Sequence, residues 1–323
     1  MTVGQSALRV LIVGAGWAAR WHARLLAKHH RNVSLMFWGR SEGPVRTLVG
    51  KFGGERVSGD WEEAVRDDRV DAVFITTPPD THCEIAVAAL EAGKHVIVEK
   101  PAFLGSSEFD AVETAAARHG RQVLVAENYL YKPLLRAIRA HIRSGALGQV
   151  RFVAIDAVKH QVADGWRADP ARAGGGALME SGIHWVAFMD ALGLTIRRAE
   201  AHFPDAPGGH ERSVTFVVEY EEGAVGVLNH SWEIPGLLKG LRLSRIYGTR
   251  GSLLFESNGL FLLRGHRRLS FPGLSDMLGY RAMLADFVRA LRTGAEPEFT
   301  IADARRCIEL IQHTYSADRG NDP

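Results

Sequence analysis

The first 127 residues alternate between two hydrophobic periods. Short apolar, β-branched runs at Leu8–Val13, Val33–Trp38, Ala72–Thr76, His95–Val98 and Val123–Ala126 read as buried strands. Between them, apolar residues recur at helical spacing over about 17–29, 43–52, 60–67, 81–92 and 106–119. Gly93 and Gly120 stand where helix C-termini should fall. Strand and helix in alternation predict a parallel, doubly wound sheet. Such a sheet takes its ligands beyond the carboxyl ends of its strands.

The pattern changes after residue 127, which divides the chain into expected domains 1–127 and 128–323. A helix with Pro133 in its first turn runs to Arg143 and ends at Ser144-Gly145-Ala146-Leu147-Gly148. Val150–Val158 reads as a strand. A Gly/Asp/Arg-rich loop, Ala163 to Gly176, leads into an apolar helix, Ala177–Leu192. Strand-like runs follow at Ser213–Tyr220, Ala224–Ser231, Leu241–Tyr247, Ser252–Glu256 and Leu260–Leu263. Strands this close in sequence predict an open, mostly antiparallel sheet with helices on one face, an α+β arrangement. Two helices, about Ser275–Thr293 and Ile301–Tyr315, come last, with a frayed tail expected at Gly320–Pro323.

Composition narrows the function classes. Hydrophobic residues make up 46% and charged residues 24%, the balance of a soluble globular protein. A net charge of +2, with basic residues scattered, offers no footprint for nucleic acid or a membrane surface. Cys83 and Cys307 fit no metal or redox spacing, and no His/Cys/carboxylate cluster suggests a metal site. The polar start, Met1 to Ala7, lacks the apolar core of a signal peptide, and no run is long enough to span a bilayer. These features predict a cytoplasmic protein.

Candidate chemistry begins at Gly14-Ala15-Gly16-Trp17-Ala18-Ala19, between a strand and a helix. That context makes it a dinucleotide fingerprint. Gly14 permits the tight turn, Gly16 lets backbone approach a pyrophosphate, and Ala19 is small enough for helix–strand packing. After the second strand the chain reads Gly39-Arg40-Ser41, with no acid to hold ribose hydroxyls. Gly39 leaves room, and Arg40 with Ser41 can grip a 2′-phosphate, which favours NADP(H) over NAD(H). Lys100 follows the strand ending near Val98, at the carboxyl edge of the sheet. A lysine in a dry pocket there can hold a substrate hydroxyl and pass a proton. Glu99 beside it can pair with neighbouring groups, and Pro101 stiffens the turn. Four residues separate Glu180 from His184, so both can project from one helix face. A carboxylate against the imidazole makes His184 a general base or acid. Asn128 follows the last strand of the first domain, where a nicotinamide should lie.

Three segments in order carry a resemblance: the glycine turn, Thr76-Thr77-Pro78-Pro79-Asp80-Thr81-His82 with the later Val98-Glu99-Lys100-Pro101, and Gly174-Gly175-Gly176 with Glu180 and His184. Together they resemble the glucose-fructose oxidoreductase / inositol dehydrogenase / rhizopine catabolism (Gfo/Idh/MocA) family of NAD(P)-dependent oxidoreductases. The resemblance implies an N-terminal Rossmann domain and a C-terminal substrate-binding and oligomerisation domain. It implies a catalytic Lys100 that also contacts the cofactor, further cofactor contacts from Thr77, Pro78, Glu99 and His82 (which can equally cap its helix), and a substrate pocket walled by Tyr129 and Tyr131. It adds Trp166 and Arg167 as contacts to substrate or cofactor. The implied reaction passes hydride between nicotinamide and a secondary alcohol or ketone, on a sugar, cyclitol or nucleotide-linked sugar. An imine or C=C reductase, an NAD-dependent glycosidase and a non-enzymatic dinucleotide sensor are the alternatives. The implied assembly is a homodimer or homotetramer. The chain departs from the family pattern at Glu180, where the family has Asp, and at Ala187, where it commonly has Asp.

Overall fold

The structure, a computed structural model, describes residues 7–204, 210–236, 240–265 and 268–319. The polar start of the chain through residue 6 and the tail Gly320–Pro323 lie outside the described residues. The chain divides into two compact units, 1–126 with 283–302, and 127–282 with 303–323.

The first unit is built on β1 (Leu8–Val13), β2 (Val33–Trp38), β3 (Glu55–Arg56), β4 (Ala72–Ile75), β5 (His95–Glu99) and β6 (Val123–Ala126). All six strands are parallel, in the order β3-β2-β1-β4-β5-β6. This is the Rossmann order, and it reverses between β1 and β4. Val10–Val13 of β1 and all of β4 are buried, as expected of strands covered on both faces. The connecting helices are α1 (Trp17–His29), α2 (Glu42–Phe52), α3 (Trp61–Arg66), α4 (His82–Glu91) and α5 (Ser106–His119). On α1, the buried residues Ala19, His22, Ala23 and Leu26 follow the helical period. Gly120 caps α5 in the left-handed conformation at φ +60, a position that favours glycine.

The second unit begins with a 3₁₀ turn, Asn128–Tyr131, and α6 (Pro133–Arg143), which opens on its proline and buries Leu134, Leu135 and Ile138. Then come β7 (Val150–Val158), α7 (Pro170–Ala173), α8 (Ile183–Asp190), β8 (Ile196–His202), β9 (Ser213–Tyr220), β10 (Val225–Ser231), β11 (Leu243–Gly248), β12 (Ser252–Glu256), β13 (Leu262–Arg264) and β14 (Arg268–Ser270). The eight strands lie in the order β14-β13-β12-β11-β7-β10-β9-β8. Every pair is antiparallel except β7 with β10. Helix α9 (Tyr280–Thr293) belongs to the first unit from Met283 on, and α10 (Ile301–Arg319) to the second from Asp303 on.

Three strands escape the sequence pattern. Strand β3 is two exposed residues, and β8 and β14 end the second sheet, where few side chains are buried and alternation is weak. The apolar stretch 177–192 is not one α-helix. A π-helical turn, Leu178–Gly182, precedes α8. The helix expected from Ser275 begins at Tyr280. Among the described residues no helix is long and apolar enough to cross a membrane.

Candidate functional site

In the first unit, the predicted residues gather at the carboxyl edge of the sheet. Gly14 follows β1 with φ +114, and its N–H donates to Trp38 O at 2.9 Å. A Cβ on Gly14 would stand 2.6 Å from Thr76 Oγ1, so the turn needs glycine on both backbone and steric grounds. Thr76 closes the same corner, donating from N and Oγ1 to Val13 O at 2.9 Å each. Gly16 is the opposite case, because a Cβ there would meet nothing within 4 Å. It caps α1 without a side-chain bond, and the first turn holds no acid. The free N–H groups of α1 therefore face an open, glycine-cleared cradle, which fits a pyrophosphate. Ala19 is wholly buried, while Trp17 is 66% exposed and stacks on Trp21 at 5.9 Å. Ala18 is partly buried.

After β2, Gly39 sits close against Val45 and Ala15. Arg40 is exposed and makes no hydrogen bond or ion pair with the described residues. Ser41 caps α2 without using its side chain. The nearest acid, Glu42, is committed to Arg46 at 2.9 Å and Arg56 at 3.2 Å.

After β4 and β5 the chain forms two loops tied by His82. This histidine is buried at the start of α4, with Nε2 2.9 Å from Thr77 O and Nδ1 3.1 Å from both Pro101 O and Ala102 O. Burial pushes its pKa down, against the pull of the three carbonyls and of Glu99. It neither caps α4 nor stands open to solvent. Thr81 Oγ1 lies 2.7 Å from Thr77 Oγ1 and 2.8 Å from Pro78 O. Lys100 follows β5, and the bond to Pro101 is cis. Glu99 takes a hydrogen bond of 2.5 Å from Nε2 of His22, which is wholly buried on α1. Burial opposes ionisation of Glu99, but the His22 hydrogen bond and charge, with Lys100 beside it, hold its carboxyl below the usual range. His22 was not singled out in the sequence; its place on the buried stripe of α1 was the available signal.

In the second unit, the groups centre on His184. Its Nδ1 lies 2.7 and 2.8 Å from the two oxygens of Glu127, which is 1% exposed. The carboxylate on Nδ1 is thus Glu127 and not the Glu180 expected from four-residue spacing. Glu180 is buried, and its Oε1 accepts from Arg167 Nε at 2.9 Å. The Arg167 guanidinium lies over the Trp166 ring, 4.3 Å from its centroid. Tyr129 stacks on His184 at 4.5 Å and 12°, and meets Trp185 edge-on at 4.9 Å. Burial pushes the Tyr129 phenol up to about 12, so it stays a proton donor. Lys132, also missed in the sequence, is wholly buried with Nζ 3.9 Å from the Tyr129 ring centroid. Tyr131 is wholly buried, and Asn128 Nδ2 donates to Leu278 O at 2.7 Å.

A buried chain of hydrogen bonds braces the π turn. Trp232 Nε1 donates to Ser181 Oγ at 2.8 Å, Ser181 pairs with His230 Nε2 at 2.9 Å, and His230 Nδ1 lies 3.0 Å from Ala157 O. Burial drives His230 down to about 3, so it is neutral, donates from Nδ1 and accepts at Nε2. Two of the three glycines have a packing cause. A Cβ on Gly176 would strike Glu211, and one on Gly175 would strike Tyr315. Buried Glu211 accepts from Leu178 N at 2.7 Å and from Tyr315 Oη at 2.8 Å, fixing the start of the π turn.

Comparison with known proteins gives the family and agrees with the fold. Residues 8–127 match the model of an oxidoreductase family with an NAD-binding Rossmann fold, and residues 135–254 match the GFO/IDH/MocA C-terminal domain. The oxidoreductase ORF334 of Rhizobium meliloti is 34% identical over 306 residues, 85% of this chain and 86% of its own. Levoglucosan dehydrogenase of Pseudarthrobacter phenanthrenivorans is 27% identical over 294 residues, 77% of this chain and 73% of its own. Among solved structures, GenD2 from gentamicin A biosynthesis, in complex with NAD, superposes with a TM-score of 0.85 at 26% identity, covering 98% of this chain and 96% of that one. The chain belongs to the GFO/IDH/MocA family of NAD(P)-binding oxidoreductases.

Proposed function

We propose that this enzyme uses NADP(H) to interconvert a secondary alcohol and a ketone on a sugar, cyclitol or nucleotide-linked sugar. What carries the reading is the carboxyl edge of the first sheet, with the open N-terminus of α1, an exposed Arg40 without a partner among the described residues, and Lys100 at the ends of β1, β2 and β5. A similar protein named levoglucosan dehydrogenase and a structural neighbour from gentamicin A biosynthesis support the substrate class.

Gly14, Gly16, Trp17, Ala18 and Ala19 receive the pyrophosphate on backbone N–H groups. Arg40 and Ser41 take the 2′-phosphate, for which a guanidinium offers paired, charge-assisted donors. Thr77, Pro78, His82, Glu99 and Asn128 complete the cofactor contacts. When bound, the nicotinamide supplies hydride transfer to or from the substrate carbon. Lys100 hydrogen-bonds the substrate oxygen and stabilises negative charge developing on it. His184 takes the hydroxyl proton in oxidation and returns it in reduction. Glu180, held by Arg167, joins Trp166, Tyr129 and Tyr131 in orienting the substrate.

A second copy of the chain is the proposed partner. On the outer face of the second sheet, Phe152 pairs in register with both Val225 and Tyr247, and the three are 59%, 37% and 43% exposed. A row of exposed apolar side chains of this kind is buried in self-association.

Titration with NADPH and NADH, followed by nicotinamide fluorescence, tests the cofactor reading. NADPH binding at least about tenfold tighter is expected, since one or two charge-assisted bonds are worth that much. Equal affinities would remove NADP preference. Lys100→Met should abolish NADPH oxidation against a panel of keto-sugars while dinucleotide binding survives in both titrations; surviving turnover would remove Lys100 from the chemistry.

A further inference from the structure

The acid that governs His184 comes from the segment after β6, not from the histidine's own helix. We infer that Glu127 is a positioning residue, holding the His184 proton on Nδ1 so that Nε2 is the atom that exchanges a proton with the substrate. The inference rests on the role given to His184 above.

Both Glu127 oxygens lie within 2.8 Å of Nδ1. An ionised carboxylate only accepts, so Nδ1 carries the hydrogen, and a neutral imidazole then keeps its lone pair on Nε2. Glu127 is itself fixed, because Oε1 also accepts from Tyr129 N at 3.0 Å. The same tyrosine lays its ring on the imidazole at 4.5 Å, and Lys132 Nζ lies 3.9 Å from that ring's centroid. His184 is therefore held along one edge by Glu127 and on one face by Tyr129. Glu180, which spacing nominates, has Oε1 bonded to Arg167. The π turn Leu178–Gly182 also widens the helical spacing between the two.

The proton balance follows. In oxidation, the substrate O–H proton moves to the Nε2 lone pair and the imidazole becomes an imidazolium. Nδ1–H stays on Glu127, whose negative charge offsets the new positive one without taking the proton. Reduction runs the same step backwards.

The test reads the tautomer directly. The full chain is labelled with ring-¹⁵N histidine, and two- and three-bond ¹H–¹⁵N correlations are recorded at about pH 8.5, above the usual imidazole range. His184→Gln identifies the His184 signals among the 14 histidines. The expected wild-type pattern has a protonated Nδ1 and a bare Nε2. Glu127→Ala should move His184 toward the Nε2–H form, and Glu180→Gln should not. Should the alanine variant fail to fold, Glu127→Gln keeps the shape and can turn its amide N–H toward Nδ1, with the same expected direction. A wild-type Nε2–H pattern overturns the proposal. So does an unchanged pattern in every Glu127 variant that folds, or an equal change in Glu180→Gln. The measurement needs neither cofactor nor substrate, so it fails separately from the dinucleotide titrations.

Discussion

Lys132 supplies the sharpest energetic prediction. Its ammonium is wholly buried, donates a hydrogen bond to Ser257 O at 3.2 Å, and lies 3.9 Å and 5.3 Å from the Tyr129 and Trp185 ring centroids. Burial, with help from the Arg242 charge, brings its pKa down from 10.5 to about 7, against the pull of Glu256 and Glu127. The folded chain thus sheds this proton near neutrality, whereas the unfolded chain keeps it to the ordinary lysine value. Between those two points unfolding takes up a proton, so the wild type gains stability as pH rises, and below about 7 the dependence vanishes. Integrated from about pH 6.5 to about pH 8.5, the linkage amounts to about 2 kcal/mol. Lys132→Met keeps the apolar stem and removes the charge. Urea unfolding of both proteins across that range, followed by tryptophan fluorescence, isolates the effect, because other titrating groups cancel in the difference. The variant should be the more stable protein at the acid end, and its advantage should shrink by about 2 kcal/mol at the alkaline end. A difference that stays constant with pH would refute the reasoning.

Four further outcomes follow from the geometry. Arg40→Ala should weaken NADP⁺ by about 10- to 100-fold, the worth of charge-assisted bonds, and leave NAD⁺ within about twofold by calorimetry; equal losses would take the 2′-phosphate away from Arg40. Gly14→Ala should destabilise the protein by about 1–3 kcal/mol in melting experiments, through backbone strain and the clash with Thr76. Gly16→Ala should melt like the wild type yet bind dinucleotide poorly, and normal binding would show that the open cradle is not used. Light scattering should give a wild-type mass at least twice that of one chain, reduced by Phe152→Glu; a monomeric wild type would leave the outer sheet face without its proposed partner.

The first sheet was legible because its residues obey local rules. β4, Val10–Val13 of β1 and Val96–Val98 of β5 are buried and read as apolar runs, and the glycine turn joins strand to helix where a fingerprint must. Strands β8 and β14 were illegible for the converse reason. They end the second sheet, and a side chain that touches no core carries no burial signal. The π turn was hidden as well, because Leu178-Met179-Glu180-Ser181 holds no proline or glycine and passes as continuous helix. What departs from the helix there is set by residues remote in sequence: Glu211 on Leu178 N, and Trp232 and His230 on Ser181.

The same distinction separates the two carboxylates near His184. Spacing within one helix points to Glu180, since a helical rule acts only on residues close in sequence. Glu127 lies 57 residues away, and it reaches Nδ1 through tertiary folding that no period encodes. Its local surroundings did carry a hint, because an acid directly after the buried run Val123–Ala126 has to be paired once it is itself buried. The same requirement applies to His22 on the buried stripe of α1 and to Lys132 before Pro133. Each is a titratable side chain that folding buries, and each ends against a partner from another element. In this chain, a titratable residue beside or within a buried run marks a tertiary pairing that motif spacing alone does not reveal.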